Sequence, residues 1–253
     1  MGAYALAPVF WRHYEHHPCM ERAPRTVETR DGRPGDPLNA ALVGSEQQVV
    51  QAMITAGWTP ADPVTLRSGV LITEAVLLSR PYSDAPISSL YLWGRKQDLA
   101  FERSAGRSPR QRHHVRFWRS VELGVAGIPT WVGAASYDRS VGIGHATGEI
   151  THHIAPDVDA ERDKLMSDLL DHKQLIRVYQ VTGIGPTLQG RNGEHDWYYT
   201  DGEMSVGVLS PDNAPVAGEP ARLSNALPVD LKNGLWVWMR KLLGSFENGK
   251  GVL

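Results

Sequence analysis

The spacing of apolar positions changes along this chain, and the changes divide it into elements. Asn39–Gly44 (NAALVG) is a short apolar run that predicts a strand. Ser45 then opens a helical pattern: Ser45-x-x-Gln48 is a capping box, Val49, Ala52, Met53 and Ala56 share one face, and Gly57 is the stop. Trp58 and Pro60 end that unit. A second helix is predicted over about 63–79, with Pro63 in its first turn and Val64, Gly69, Val70, Ala75 and Leu77 as its small or apolar positions.

After Pro81 the period falls to two. Leu90–Trp93, Gly94-Arg95-Lys96 and Gln97–Glu102 predict a hairpin. Val115–Arg119, Thr130–Tyr137 and Ile150–Ile154 predict further strands, separated by the glycine- and proline-bearing turns 124–129 and 138–144. Asp157–His172 returns to helical spacing, with Val158, Leu165, Met166 and Leu169 as its apolar stripe and Asp157 or Asp159 as its cap. Leu175–Val181 alternates again. Asp196–Thr200 and Met204–Leu209 flank Asp201-Gly202, a dipeptide that predicts a hairpin turn between them.

Strands joined by hairpins, with helices grouped early and in one later insert, predict an α+β fold. Its sheet is expected to be largely antiparallel, with helices packed mainly on one side. Residues 1–38, rich in proline, arginine and histidine, are read as an N-terminal arm, 39–210 as the α+β domain, and 211–253 as a linker followed by an amphipathic C-terminal helix over Leu231–Phe246. No internal repeat and no G-x-G-x-x-G is present, which argues against a dinucleotide fold.

Composition narrows the function classes. The 253 residues are 42% hydrophobic and 21% charged with a formal net charge of −2, so attraction for a polyanion has to come from a local patch. Cys19 is the sole cysteine, which excludes an internal disulfide and a cysteine zinc cluster and fits a reducing compartment. The opening MGAYALAPVFWRHYEHH lacks a basic n-region, Leu6 breaks a myristoylation pattern, and no stretch has the ~18 apolar residues of a spanning helix. The expectation is a cytoplasmic protein, peripheral to an inner membrane at most.

Candidate chemistry gathers in Ser108–Arg119 (SPRQRHHVRFWR), which holds four arginines and two adjacent histidines, and in Thr151-His152-His153-Ile154. On a strand, neighbouring side chains point to opposite faces, so neither histidine pair can bind one ion together. Arg112, His114, Arg116 and Trp118 share the polar, presented side, while His113, Val115 and Phe117 face the core. By the same alternation His153 is the site candidate of the second pair. His114, His153 and Asp138 then form a catalytic set, with His145 on a nearby glycine-rich loop, and two histidines with a carboxylate also suit a divalent metal such as zinc. Arg112, Arg116 and Trp118 would bind the substrate, and the arginines favour a phosphate or carboxylate. The contrary reading pairs Arg112 and Arg116 with Glu161 and Asp163 of the acidic helix in plain salt bridges. His13, His16, His17 and Cys19 are read as a solvated terminal segment. Nucleic acid is not expected as a partner, and the Trp236/Trp238 helix is read as docking on its own domain or a partner rather than on a membrane interface.

A series of short motifs in order resembles the LssY C-terminal domain family. They run from Asp31-Gly32, Gly35–Asn39 and Leu42-Val43-Gly44 through Ala56-Gly57-Trp58, Arg80-Pro81-Tyr82, Ala85-Pro86, Leu90-Tyr91-Leu92, Gly94-Arg95 and Gln97–Glu102. They continue with Arg112–Trp118, Trp131–Ala135, Tyr137-Asp138, Thr151–Ile154 and Asp159-Ala160-Glu161-Arg162-Asp163. The resemblance implies that both His-His segments and the Asp-Ala-Glu-Arg-Asp run belong to the family pattern. It also implies kinship with tails of bacterial membrane proteins, behind phosphatidic-acid-phosphatase-like or DedA-like membrane domains, and it carries no catalytic assignment. Two functions follow as expectations. One is a hydrolase or transferase acting on a phosphorylated or otherwise anionic small molecule through His114, His153, Asp138 and the arginines. The other is a non-catalytic module that recognises an anionic lipid headgroup or a membrane-protein partner.

Overall fold

The computed structural model describes residues 23–61, 89–105, 111–121, 127–143, 150–182, 189–193, 195–211 and 214–249. The helix expected over 63–79, His145 and the N-terminal His13, His16, His17 and Cys19 lie outside the described residues. The fold is α+β, as its periodicities predict.

Its main sheet runs in the order β15-β11-β14-β3-β9-β8-β7-β4, with β10 added beside β9. In chain order these are β3 (Ala40–Val43), β4 (Thr59–Pro60), β7 (Leu99–Ser104), β8 (Arg112–Arg119), β9 (Thr130–Ile143), β10 (Ile150–Ile154), β11 (Leu175–Thr182), β14 (Glu203–Leu209) and β15 (Ala221–Arg222). Pairing is antiparallel except for β14 with β3 and β15 with β11. A second sheet of β1 (Thr26–Glu28), β2 (Pro34–Pro37), β5 (Tyr91–Leu92) and β6 (Arg95–Lys96) has the order β2-β1-β5-β6. The short turn joining β5 to β6 is Trp93-Gly94, both at positive φ, the geometry that matches strand twist in a tight hairpin.

Each face of the main sheet has its own cover. Helix α1 (Glu46–Thr55) is closed by the expected capping box, Ser45 and Gln48 each satisfying the other's backbone. Helix α2 (Val158–Asp171) is capped by the Asp157 carboxylate on the Ala160 amide. The apolar stripes of both helices join Leu42, Val115, Phe117, Trp131 and Ala135 in one core. Gly133 pairs with Phe117 there, and a Cβ at that position would lie 2.7 Å from the Phe117 ring. On the other face, Val27, Leu38, Leu90 and Leu92 pack over Ala41, Trp118, Val132, Ala134, Tyr179 and Val206. Residues 26–37 of the predicted arm therefore contribute strands to this cover. Asn39, fully enclosed, ties the layers together by donating to the carbonyls of Ala135 and Val158 and accepting from the Ala135 amide.

The hairpin expected around Asp201-Gly202 does not form. β13 (Trp197–Tyr199) pairs with β12 (Gln189–Arg191), while β14 leaves for the main sheet between β11 and β3. The cause is non-local: both Asp201 carboxylate oxygens accept from Arg162 of α2, and its amide donates to Asp159. That capture turns the chain from one layer into the next. The C-terminal helix α3 (Leu227–Gly249) begins earlier than its sequence pattern implied.

Candidate functional site

β8 lies between β7 and β9, and its register decides what meets on each face. Arg112, His114 and Arg116 stand opposite Asp138, Ser136 and Ala134 of β9, and opposite Ser104, Glu102 and Ala100 of β7. On that face a charged cluster forms. Arg112 donates to Glu102 at 2.9 Å and to Asp138 at 3.3 Å. The other Asp138 oxygen lies 2.7 Å from His114 Nε2. Arg116 donates to His114 Nδ1 at 3.0 Å and to Asp36 at 3.2 Å, and Ser136 Oγ donates to the same Asp36 oxygen at 2.8 Å. A guanidinium can only donate, so His114 accepts at Nδ1 and carries its proton on Nε2, toward Asp138. Burial, with the Asp36 carboxylate adding to it, raises the Tyr198 phenol above its ordinary value.

This face was expected to be presented to solvent, and it is not. His114 is 3% exposed, and Arg112, Arg116, Asp36 and Asp138 are likewise buried. Alternation separates two sides of a strand but says nothing of what covers each, and β8 is an interior strand covered on both. Two guanidiniums, three carboxylates, a histidine and a serine are thus enclosed together among the described residues. Burying such a set costs several kcal/mol per ion, which the pairing of every member offsets.

The structure brings together Arg112, His114, Arg116 and Asp138. It does not bring His153 or Trp118 to them. His153 Nδ1 lies 2.8 Å from Asp196, whose second oxygen accepts from the Ile154 amide. Trp118 is fully buried in the second core, its indole N–H donating to the Arg95 carbonyl at 3.2 Å. Nor do Glu161 and Asp163 pair with Arg112 and Arg116: Glu161 takes His113 at 2.7 Å, and Asp163 takes Arg162 and Arg240. His113 does face the helices, between the rings of Trp58 and Tyr137. Among the described residues, no three His, Cys, Asp or Glu side chains are placed to hold a metal ion. Sequence reasoning missed Asp36, Glu102 and Ser136. Their period-two placement on β7 and β9 was the available signal for the last two, whereas Asp36 arrives from the covering layer.

A second buried cluster occupies the N-terminal end of α2. Asp159 is fully enclosed and accepts from Thr200 Oγ1, the Asp201 amide and Trp236 Nε1 at 2.7–2.8 Å. Burial pushes its carboxyl up to about 6, against the opposing pull of Arg162. Burial alone would lower the Arg162 guanidinium, but Asp201 and Asp159 outweigh it and hold it above its ordinary value. Lys232 pairs with Glu203, and Arg240 with Asp157 and Asp163. These contacts clamp α3 onto the body. A cleft of about 670 Å³ lies beside α2 and β11, bordered by Asp171, Lys173, Glu219 and Arg222. None of the residues around His114 lines it.

A family model described as LssY C-terminus matches residues 20–204, a stretch that includes every member of the cluster around His114. No curated protein and no solved structure matches the chain.

Proposed function

The chain belongs to the LssY C-terminus family, and we propose that it catalyses hydrolysis or group transfer on a phosphorylated or otherwise anionic small molecule at the cluster around His114. The supporting observation is the Asp138–His114–Arg116 alignment. Asp138 fixes the ring tautomer through Nε2–H, which leaves Nδ1 as the basic nitrogen, aimed at a guanidinium where an oxyanion would bind. Arg112 and Arg116 are held by Glu102, Asp138 and Asp36, so both guanidiniums are already set to grip oxyanions, and an entering phosphate would compete with those carboxylates for them. His114 would move the proton, Asp138 would orient it, and the arginines would stabilise the developing charge. A variant of this reading places a divalent ion such as zinc on His114 and Asp138 with His153, which would require His153 to leave Asp196. Elemental analysis of the purified chain tests that variant.

A second reading rests on a specific observation. Both nitrogens of His114 and both guanidiniums are already hydrogen-bonded in a buried setting. That fits a non-catalytic module whose charged cluster holds the sheet to its cover while it recognises a headgroup or a membrane-protein partner. Among the described residues no helix is long and apolar enough to cross a membrane.

The discriminating experiment uses the full chain with p-nitrophenyl phosphate and inorganic phosphate. Catalysis predicts turnover that His114→Gln lowers at least about 100-fold, with Arg116→Lys acting mainly on KM. Saturable phosphate binding without turnover supports the second reading. Neither turnover nor binding, or turnover indifferent to His114→Gln, removes the catalytic one.

A further inference from the structure

Helix α3 has two faces of different character. One is clamped to the body: Val229 and Trp236 are buried, Trp236 Nε1 donates to Asp159 at 2.8 Å, and Lys232 and Arg240 form the ion pairs described above. The other carries Leu227, Leu231, Leu235, Trp238 and Leu242, each 45–71% exposed. Their spacing of four, four, three and four places them within an arc of about 80° on a helix of 3.6 residues per turn. Such a seam is the signature of helix-on-helix packing. A contiguous strip of large apolar side chains left this exposed is the kind of patch that marks an interaction site.

We propose that this seam packs antiparallel against the same seam of a second copy of the chain, about a twofold axis beside Leu235. Charge complementarity selects a second copy over other occupants. Asp230 and Lys241 lie on one flank of the seam, within about 20° of each other and almost equally far along the helix from Leu235. A twofold axis there sets Asp230 of one protomer against the partner's Lys241, and the reverse, giving two matched pairs. Lys241 has no ion pair among the described residues. Gly234, beside Leu235 on the Asp230 flank of the seam, is compatible with this packing: among the described residues a Cβ there would meet nothing within 4 Å, as at Gly244, so the missing side chain leaves room for a second helix. A lipid surface fits less well, because an interfacial helix turns its cations outward. Here Lys232 and Arg240 are spent on the body, and Asp230 offsets Lys241.

Sedimentation of the full chain over a concentration series tests the proposal. The wild type should dimerise, Leu235→Glu should be a folded monomer because the site is exposed, and Asp230→Lys alone should weaken the dimer about tenfold or more. Asp230→Lys with Lys241→Asp should restore it to within about threefold of wild type. A wild-type monomer at every concentration overturns the proposal, as does a dimer indifferent to Leu235→Glu, a double swap that fails to recover, or a monomer that floats with phosphatidylglycerol vesicles.

Discussion

Arg162→Met removes the guanidinium that holds two buried carboxylates in the clamp between α2 and α3. The thioether keeps most of the stem volume, so packing changes little and the loss is electrostatic. Arg162 is 3% exposed and donates to both oxygens of Asp201 at 2.7 and 3.0 Å, to the Glu203 carbonyl at 3.1 Å and to Asp163. Taking one partner from a buried ion cluster costs about 3–5 kcal/mol. A separate bound agrees with that figure. The folded variant can relieve Asp159 by protonating it, and holding that proton at pH 7 against an ordinary value of 3.8 costs about 4 kcal/mol. The expected loss, read from the shift in the urea midpoint, is therefore about 3–5 kcal/mol at pH 7.

The pH dependence is the sharper readout. In the variant, folded Asp159 keeps a proton that the unfolded chain has released, so stability rises as pH falls from 7. Wild-type Asp159, at about 6, takes up little proton above that pH. The gap between the two should narrow by about 1 kcal/mol between pH 7 and 6, and then change little down to about 5. Arg162→Lys keeps the charge but not the fork, and should lose only about 1–2 kcal/mol. A loss below about 1 kcal/mol for the methionine variant, or a gap that widens on acidification, refutes the reasoning.

Three further outcomes are expected. The indole N–H resonance of Trp236, bonded to Asp159, should titrate with a midpoint near 6 in the wild type, and a flat profile would deny that contact. His114→Gln, in a buried network, should cost about 2–4 kcal/mol, whereas His153→Gln, at a partly exposed pair with Asp196, should cost about 1 kcal/mol or less by urea unfolding, and equal losses would contradict the burial difference. Arg240→Ala should release the middle of α3 without unfolding the sheet, seen as faster amide exchange confined to the helix, and unchanged protection would show that the Asp157 and Asp163 pairs carry no weight.

What was legible in the sequence was local. The capping box at Ser45 and the Asp157 cap set the starts of α1 and α2, because caps act within one turn of the residue that makes them. Alternation along β8 correctly divided His113 from His114, since the pleat is a property of the strand itself. What failed was non-local. The Asp201-Gly202 signal lost to a bidentate bond from Arg162, 39 residues away in sequence. The partner of His153 proved to be Asp196, on the approach to β13, and Asp36 reached Arg116 from the N-terminal cover. Periodicity also could not tell a solvated polar face from one buried under a second layer, which is why Arg112, His114 and Arg116 were expected outside. The C-terminal helix was foreseen, but its clamp residues Trp236, Lys232 and Arg240 depend on carboxylates that only the fold delivers.

The parallel pairing of β14 with β3 has a consequence for how the molecule comes into being. Ala40 near one end of the chain bonds in register with Ser205 near the other, and β3 is an interior strand of the main sheet. A chain emerging from the ribosome can build β7, β8 and β9 from neighbouring segments, but β3 keeps an open edge until residue 209 is made. Closing so long a loop is entropically slow, and an unpaired interior strand invites pairing with another chain in the meantime. Refolding of the full chain should accordingly show a late phase in which β3 and β14 gain amide protection together. A fragment cut at residue 204, where the family match stops, would keep only the first two residues of β14 and should aggregate rather than fold.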